Sequence, residues 1–112
     1  MIHRVLAISL LSFSLSAQAA STVYGNGGAS CALFLIAAQA KQGGNPSVDS
    51  FMMWFSGYAS LASAQTSIDY FADTTPASRQ HWLEEYCKAH PLGMFDEAVA
   101  ALMAVLAEHQ AQ

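Results

Sequence analysis

Four groups of residues have the types and spacing from which chemistry could be built. His81, Glu84 and Glu85 lie on neighbouring turns of one stretch and offer an imidazole and a carboxylate to a metal. Two ligands do not complete a coordination shell, and histidine one turn from carboxylates is the ordinary pattern of a solvated helix face. Cys87-x-x-His90 has the spacing of a ligand pair, but a cysteine in an oxidising compartment is expected in a disulfide. Ser56 and Ser60 have neither a fixed base nor an exposed elbow of the G-x-S-x-G kind, so close packing explains them. Asp69, Asp73, Glu84 and Glu85 supply carboxylates, yet their scattered positions define no pair with one acid and one base. The sequence therefore assigns no catalytic residue, no metal and no cofactor, and it points away from an enzyme.

The elements that position these residues begin with an export signal. Met1 to Arg4 form a short polar start with one firm charge, Val5 to Leu15 are apolar, and Ser16 to Ala20 are small. That order reads as a signal peptide over residues 1–19, with Ala17 and Ala19 supplying the A-x-A cleavage pattern. The apolar run is well short of the ~20 residues that span a bilayer, so no membrane insertion is expected after cleavage, and the periplasm is the expected location. The remaining residues suffice for one domain. Its two cysteines, Cys31 and Cys87, are expected to form one intramolecular bridge.

Over residues 20–112, three cations (Lys41, Arg79, Lys88) oppose eight carboxylates, a net charge of −5. An acidic chain without a basic face is not a partner for nucleic acid or anionic lipid.

Residues 20–29 are polar and glycine-rich and read as a flexible segment ahead of a helical domain over 30–112. The pattern then predicts four helices with clear punctuation. The first runs from Ser30, a plausible N-cap, to Lys41 and stops at Gly43-Gly44. Asn45 caps the second, Pro46 to Ala64, whose Phe51, Trp54, Phe55, Tyr58, Leu61 and Ala62 recur at three- and four-residue spacing on one apolar face. Gly57 inside it is expected to mark the close approach of another helix between Ser56 and Ser60. Residues 63–74 have weak periodicity and read as a connection. Thr75-Pro76 opens a third helix that brings Trp82, Leu83, Tyr86 and Cys87 to one side, and Pro91 interrupts it. A fourth, Met94 to His109, turns Phe95, Ala98, Val99, Leu102, Val105 and Leu106 inward, with Asp96 and Glu97 in the first turn where the helix dipole favours them. The expected fold is all-α, a small four-helix bundle closed by one disulfide.

A Ser-Cys near the mature start, Trp54-x-x-Gly57-Tyr58 in the second helix, and Trp82-Leu83-x-x-Tyr86-Cys87-x-x-His90-Pro91-Leu92 before an alanine-rich last helix resemble the small periplasmic proteins with an HdeA-like fold. That group covers the HdeA/HdeB acid-stress chaperones, the Tai-like immunity proteins of type VI secretion amidase effectors, and many uncharacterised secreted proteins. The resemblance spans nearly the whole mature chain. It implies a helical bundle with a cysteine pair placed like Cys31 and Cys87. It also implies one of two activities, protection of unfolded clients or neutralisation of a secreted effector.

Met52 and Met53 add apolar surface beside the main stripe of the second helix. With Phe55 they form the expected partner-binding set, for a client, a dedicated protein partner or a second copy of the chain. Below about pH 3 the carboxylates are protonated while the lysines, Arg79, His81, His90 and His109 are positive. An acid-stress chaperone would use that change of sign to loosen a dimer or the bundle and expose the apolar face.

Overall fold

A computed structural model describes residues 22–40 and 46–111. The signal-peptide stretch, Lys41, the Gly43-Gly44 stop and the Asn45 cap lie outside the described residues. A 3-10 turn, Gly25–Gly28, precedes four helices: α1 (Cys31–Gln39), α2 (Pro46–Thr66), α3 (Pro76–Ala89) and α4 (Phe95–Gln110). Among the described residues there is no named strand, and the all-α fold is as the periodicity requires.

Local chemistry sets these boundaries. Ser30 caps α1, its Oγ accepting the backbone N–H of Leu33 at 3.1 Å. Thr75 and Ser78 form a reciprocal capping box at the start of α3, with Pro76 at the first helical position. Helix α2 runs past the expected stop at Ala64, because Thr66 closes its last turn by donating its hydroxyl proton to the carbonyl of Ala62 at 2.8 Å. It ends at Thr66, because Ser67 beyond it, with φ 61°, leaves the right-handed helical region.

Although α1 is the shortest helix, it packs against each of the other three. Phe34 is wholly buried where α1, α2 and α4 meet, with its ring centroid 5.4 Å from that of Phe51 and 4.7 Å from that of Phe95. Phe51 and Phe95 close the triangle at 4.9 Å, edge to face. The Cys31–Cys87 disulfide joins α1 to the end of α3 across a Cα separation of 5.0 Å, and both cysteines are inaccessible to solvent. Beside it, the Cys31 N–H donates to the Gly93 carbonyl at 2.9 Å and the Phe95 N–H donates to the Ala29 carbonyl at 2.8 Å. The starts of α1 and α4 are thus held side by side by backbone bonds.

Three packing expectations change. The buried arc of α2 is Phe51, Phe55 and Ala59, with Val48, Met52 and Ala62 beside it, so Leu61 points outward and is 62% exposed. In α4, Met103 is buried and Val105 is 44% exposed. Phe95, Val99, Leu102 and Leu106 fix the inward arc, and Val105 falls on its flank. Gly57 is exposed, and a Cβ added there would meet nothing within 4 Å. No helix of the described fold approaches it, so its conformational freedom is uncompensated within the chain. Gly57→Ala is therefore expected to stabilise the fold by about 1 kcal/mol, read as a higher midpoint in urea unfolding. An unchanged or lowered midpoint would mean that the position is crowded in solution.

The segment read as a flexible lead-in has a defined seat over residues 22–29. The Trp54 indole N–H donates to the carbonyl of Tyr24 at 2.8 Å, and Gly27 is buried against the indole ring. A Cβ on Gly27 would fall 2.0 Å from Trp54 Cζ2, which no side chain permits. Gly27 serves close approach, and Gly25, at φ 68°, takes a left-handed conformation that favours glycine.

Candidate protein-binding surface

The second helix separates the three expected partner-binding residues. Phe55 is wholly buried, 5.0 Å from the Phe71 ring, because it sits at the centre of the inward arc; it belongs to the core and is removed from the surface set. Met52 is half-buried against that core. Met53 alone faces outward, 74% exposed. With Gly57 and Leu61 it forms a strip at four-residue spacing along the outer face of α2. Ser50, Ser56, Ser60 and Ala64 flank it, all exposed. The Ser56 hydroxyl donates to the Met52 carbonyl at 3.0 Å and the Ser60 hydroxyl to the Ser56 carbonyl at 2.7 Å. Their protons are therefore committed to the helix backbone. No charged residue lies between Asp49 and Asp69, so this face meets water with small, neutral groups and two large apolar side chains.

Helix α1 adds a second apolar area that the periodicity did not single out. Leu33 is 56% and Ile36 66% exposed, and with Ala37 and Phe51 they line an open groove of about 550 Å³ between α1 and α2. The reason is geometric. A nine-residue helix apolar on nearly every side can bury only the arc through Cys31, Phe34 and Ala37.

The residues of the core motif divide. Trp54 and Tyr58 are neighbours, centroids 5.7 Å apart, with Trp54 packed on the core and Tyr58 partly in solvent. Trp82 and Tyr86 are half-buried and stack at 5.7 Å, and Tyr86 stacks in turn on His90 at 3.9 Å. The His90 Nδ1 is 2.8 Å from the Tyr86 carbonyl, which fixes the ring at the end of the ladder. Gly57 has only the exposed position already described.

Charged groups are sparse and mostly solvated. Lys88 and Glu85 pair at 3.0 Å on the outside of α3. Their hydrogen bond holds the Glu85 carboxyl below its ordinary range and the Lys88 ammonium above its own. Among the described residues no three of His, Cys, Asp and Glu gather as a metal site, and no helix is long and apolar enough to cross a membrane.

The connection left open by the periodicity builds the other concave feature. Residues 67–75 fold back over the second half of α2, anchored by the buried Tyr70, whose hydroxyl is 3.3 Å from that of Thr66. Ser67 and Asp73 adopt left-handed backbone conformations, φ 61° and 60°, that turn the chain at either end. Asp69 Oδ1 accepts the N–H of Phe71 at 3.2 Å. The guanidinium of Arg79, from the first turns of α3, lies 3.8 Å over the Phe71 ring, and its Nη1 donates to Thr74 Oγ1 at 2.7 Å. Partial burial lowers the Arg79 pKa from its ordinary value, though a guanidinium stays charged at any physiological pH. Ser56, Ala59, Ser60, Ser63, Asp69, Tyr70, Phe71 and Arg79 enclose an open-mouthed cavity of about 450 Å³.

Comparison of the chain with protein-family models, with curated proteins and with solved structures finds no match in any of the three.

Proposed function

We propose that this chain is a non-enzymatic periplasmic protein of the HdeA-like kind that holds unfolded clients through apolar helical surface. The observation that carries the reading is Met53 and Leu61 standing in solvent on a charge-free face of α2. Leu33 and Ile36 on α1 supply further apolar area of the same unspecific kind. Large apolar side chains grouped on the surface of a closed small domain are a binding surface or an aggregation hazard, and a net charge of −5 over residues 20–112 opposes the second. The export pattern over residues 1–19 and the disulfide suit the same compartment.

This surface is already exposed, so client binding need not wait for the bundle to loosen in acid. Among the described residues the one cation–carboxylate pair is Lys88–Glu85, and both side chains are about half exposed. Glu85 has a lowered pKa, so its contribution is present above the ordinary glutamate range and fades as pH falls through the lowered value. Lys88 has a raised pKa, so its share is lost only as pH rises through that raised value. An exposed pair of this kind adds little to stability. Acidification therefore changes the sign of the net charge while leaving the apolar core and the disulfide in place. The expected result is suppression of client aggregation at both pH 7 and about pH 3, with helical circular dichroism retained at both. Met53→Glu with Leu61→Glu should abolish the protection at pH 7. No suppression at an equimolar ratio at either pH sinks the chaperone reading.

A second reading, an immunity-type or other dedicated partner-binding protein, is favoured by the same preformed surface. A binding face built on a covalently closed fold requires little ordering on association, which suits tight recognition of one partner. It predicts a stoichiometric complex in a pull-down from periplasmic extract at pH 7.

A further inference from the structure

We propose that the cavity between α2 and residues 67–75 is a binding site for an α-amino-acid carboxylate, with Arg79 as its cation. This site borders the apolar strip at Ser56 and Ser60 but needs neither Met53 nor Leu61, and it goes beyond the protein-binding reading.

Arg79 is held as a recognition group is held. Its central carbon lies over the Phe71 ring and one nitrogen is fixed by Thr74, yet no carboxylate oxygen among the described residues lies within 4.0 Å of its nitrogens. Its Nε is buried and has no hydrogen-bond partner there. A guanidinium carries five N–H donors in a rigid fork, so donors remain after the Thr74 bond is counted.

The rest of the lining selects the ligand. Ser56, Ala59, Ser60 and Ser63 are small, and their lack of bulk makes the room. The hydroxyl protons of Ser56 and Ser60 are already donated to backbone carbonyls, so toward the cavity these oxygens act as acceptors. Asp69 adds an anionic acceptor on the same wall, with one oxygen bound to the Phe71 N–H. A simple anion such as phosphate would meet the carboxylate of Asp69, and a simple cation would meet Arg79. A group with a carboxylate and an N–H on the same carbon satisfies both, its carboxylate on Arg79 and its N–H toward Asp69 or the serine oxygens. The cavity is at the lower end of the range for small-molecule sites and suits one or two small residues. Such a group is either the C-terminal end of a peptide or a free amino acid.

The test is an NMR titration of the full mature protein, following the backbone amides of residues 67–75 and the Arg79 side-chain N–H. The probes are acetyl-alanyl-alanine, its C-terminal amide, free alanine and inorganic phosphate. The acid is expected to shift these resonances saturably at millimolar or lower concentration, and the amide to bind about tenfold more weakly or not at all. Tighter binding of the acetylated peptide identifies a peptide end as the source, and tighter binding of alanine identifies the free amino acid. Arg79→Gln should remove binding and Arg79→Lys weaken it, since an ammonium lacks the fork. Because Arg79→Gln also unseats Phe71 and Thr74, Ser60→Met is the control that keeps the loop intact and fills the cavity. It should remove binding with unfolding midpoint unchanged. Equal shifts with acid and amide, equal binding of phosphate, or no shift with any probe up to roughly 10 mM would overturn the proposal.

Discussion

Cys31→Ser is expected to lower stability by about 4 kcal/mol, because the disulfide closes a loop of 56 residues and its removal restores that freedom to the unfolded chain. The whole of a small domain's stability is of the same order, so the variant should be largely unfolded at 37 °C. The native state loses little else at first. Cys31 and Cys87 lie in a dry interior against which Phe34, Leu83 and Phe95 are packed, and neither makes a contact with solvent. Urea unfolding followed by circular dichroism, with the wild type measured both oxidised and after reduction, separates the bridge from the side-chain change. Reduced wild type and the serine variant should unfold together. A loss below about 1 kcal/mol in both would show that the four helices hold without the covalent tie.

Phe95→Ala should be the most damaging single truncation that leaves the disulfide intact, at about 3 to 5 kcal/mol. Phe95 is wholly buried, and its ring meets Phe34 at 4.7 Å, Phe51 at 4.9 Å and Trp54 at 6.0 Å. Among the described residues it is the side chain whose ring meets aromatic residues of both α1 and α2 and, through Trp54, the seat of the 3-10 turn. Removing the ring opens a void that three other rings must leave in place or fill by moving off their preferred rotamers. Phe95→Leu keeps most of the volume and should cost less than half as much. Comparable losses for the two variants would mean that edge-to-face geometry, and not filled space, is what the position supplies.

Much of the fold is legible in the sequence because its punctuation is local. Ser30, Thr75 and Pro76 act within one turn of where they stand, and the apolar residues of α2 and α4 repeat at helical spacing. What is misread depends on partners distant in the chain. Gly25 to Gly28 look like a loose lead-in until Trp54, some 30 positions on, is laid across them. Gly57 looks like a helix crossing until no helix arrives. Leu61 and Val105 fit an apolar period but fall at the edge of arcs that Phe55 and Leu102 set. The proposed binding surface is half legible. Met53 stands out by its place beside the apolar stripe, whereas Phe55 lies on the stripe itself and goes to the core. Arg79 carries no signal of its own, since an arginine early in a helix is ordinarily solvated. Only the fold-back of residues 67–75 brings Phe71 and Thr74 beneath it.

The place of α1 has a consequence for the order in which the chain takes structure. Among the described helices the first in the chain is the one that rests against all the others, and the backbone bonds from Cys31 to Gly93 and from Ala29 to Phe95 span more than sixty positions. An isolated nine-residue helix is not stable in water, so α1 holds its form only once the other helices are there to pack on it. The joining of the starts of α1 and α4 is therefore the most non-local step, while the contacts inside each helix form locally. Chains truncated ahead of α4 should be more protease-sensitive around Phe34 and Phe51, whose ring contacts Phe95 supplies.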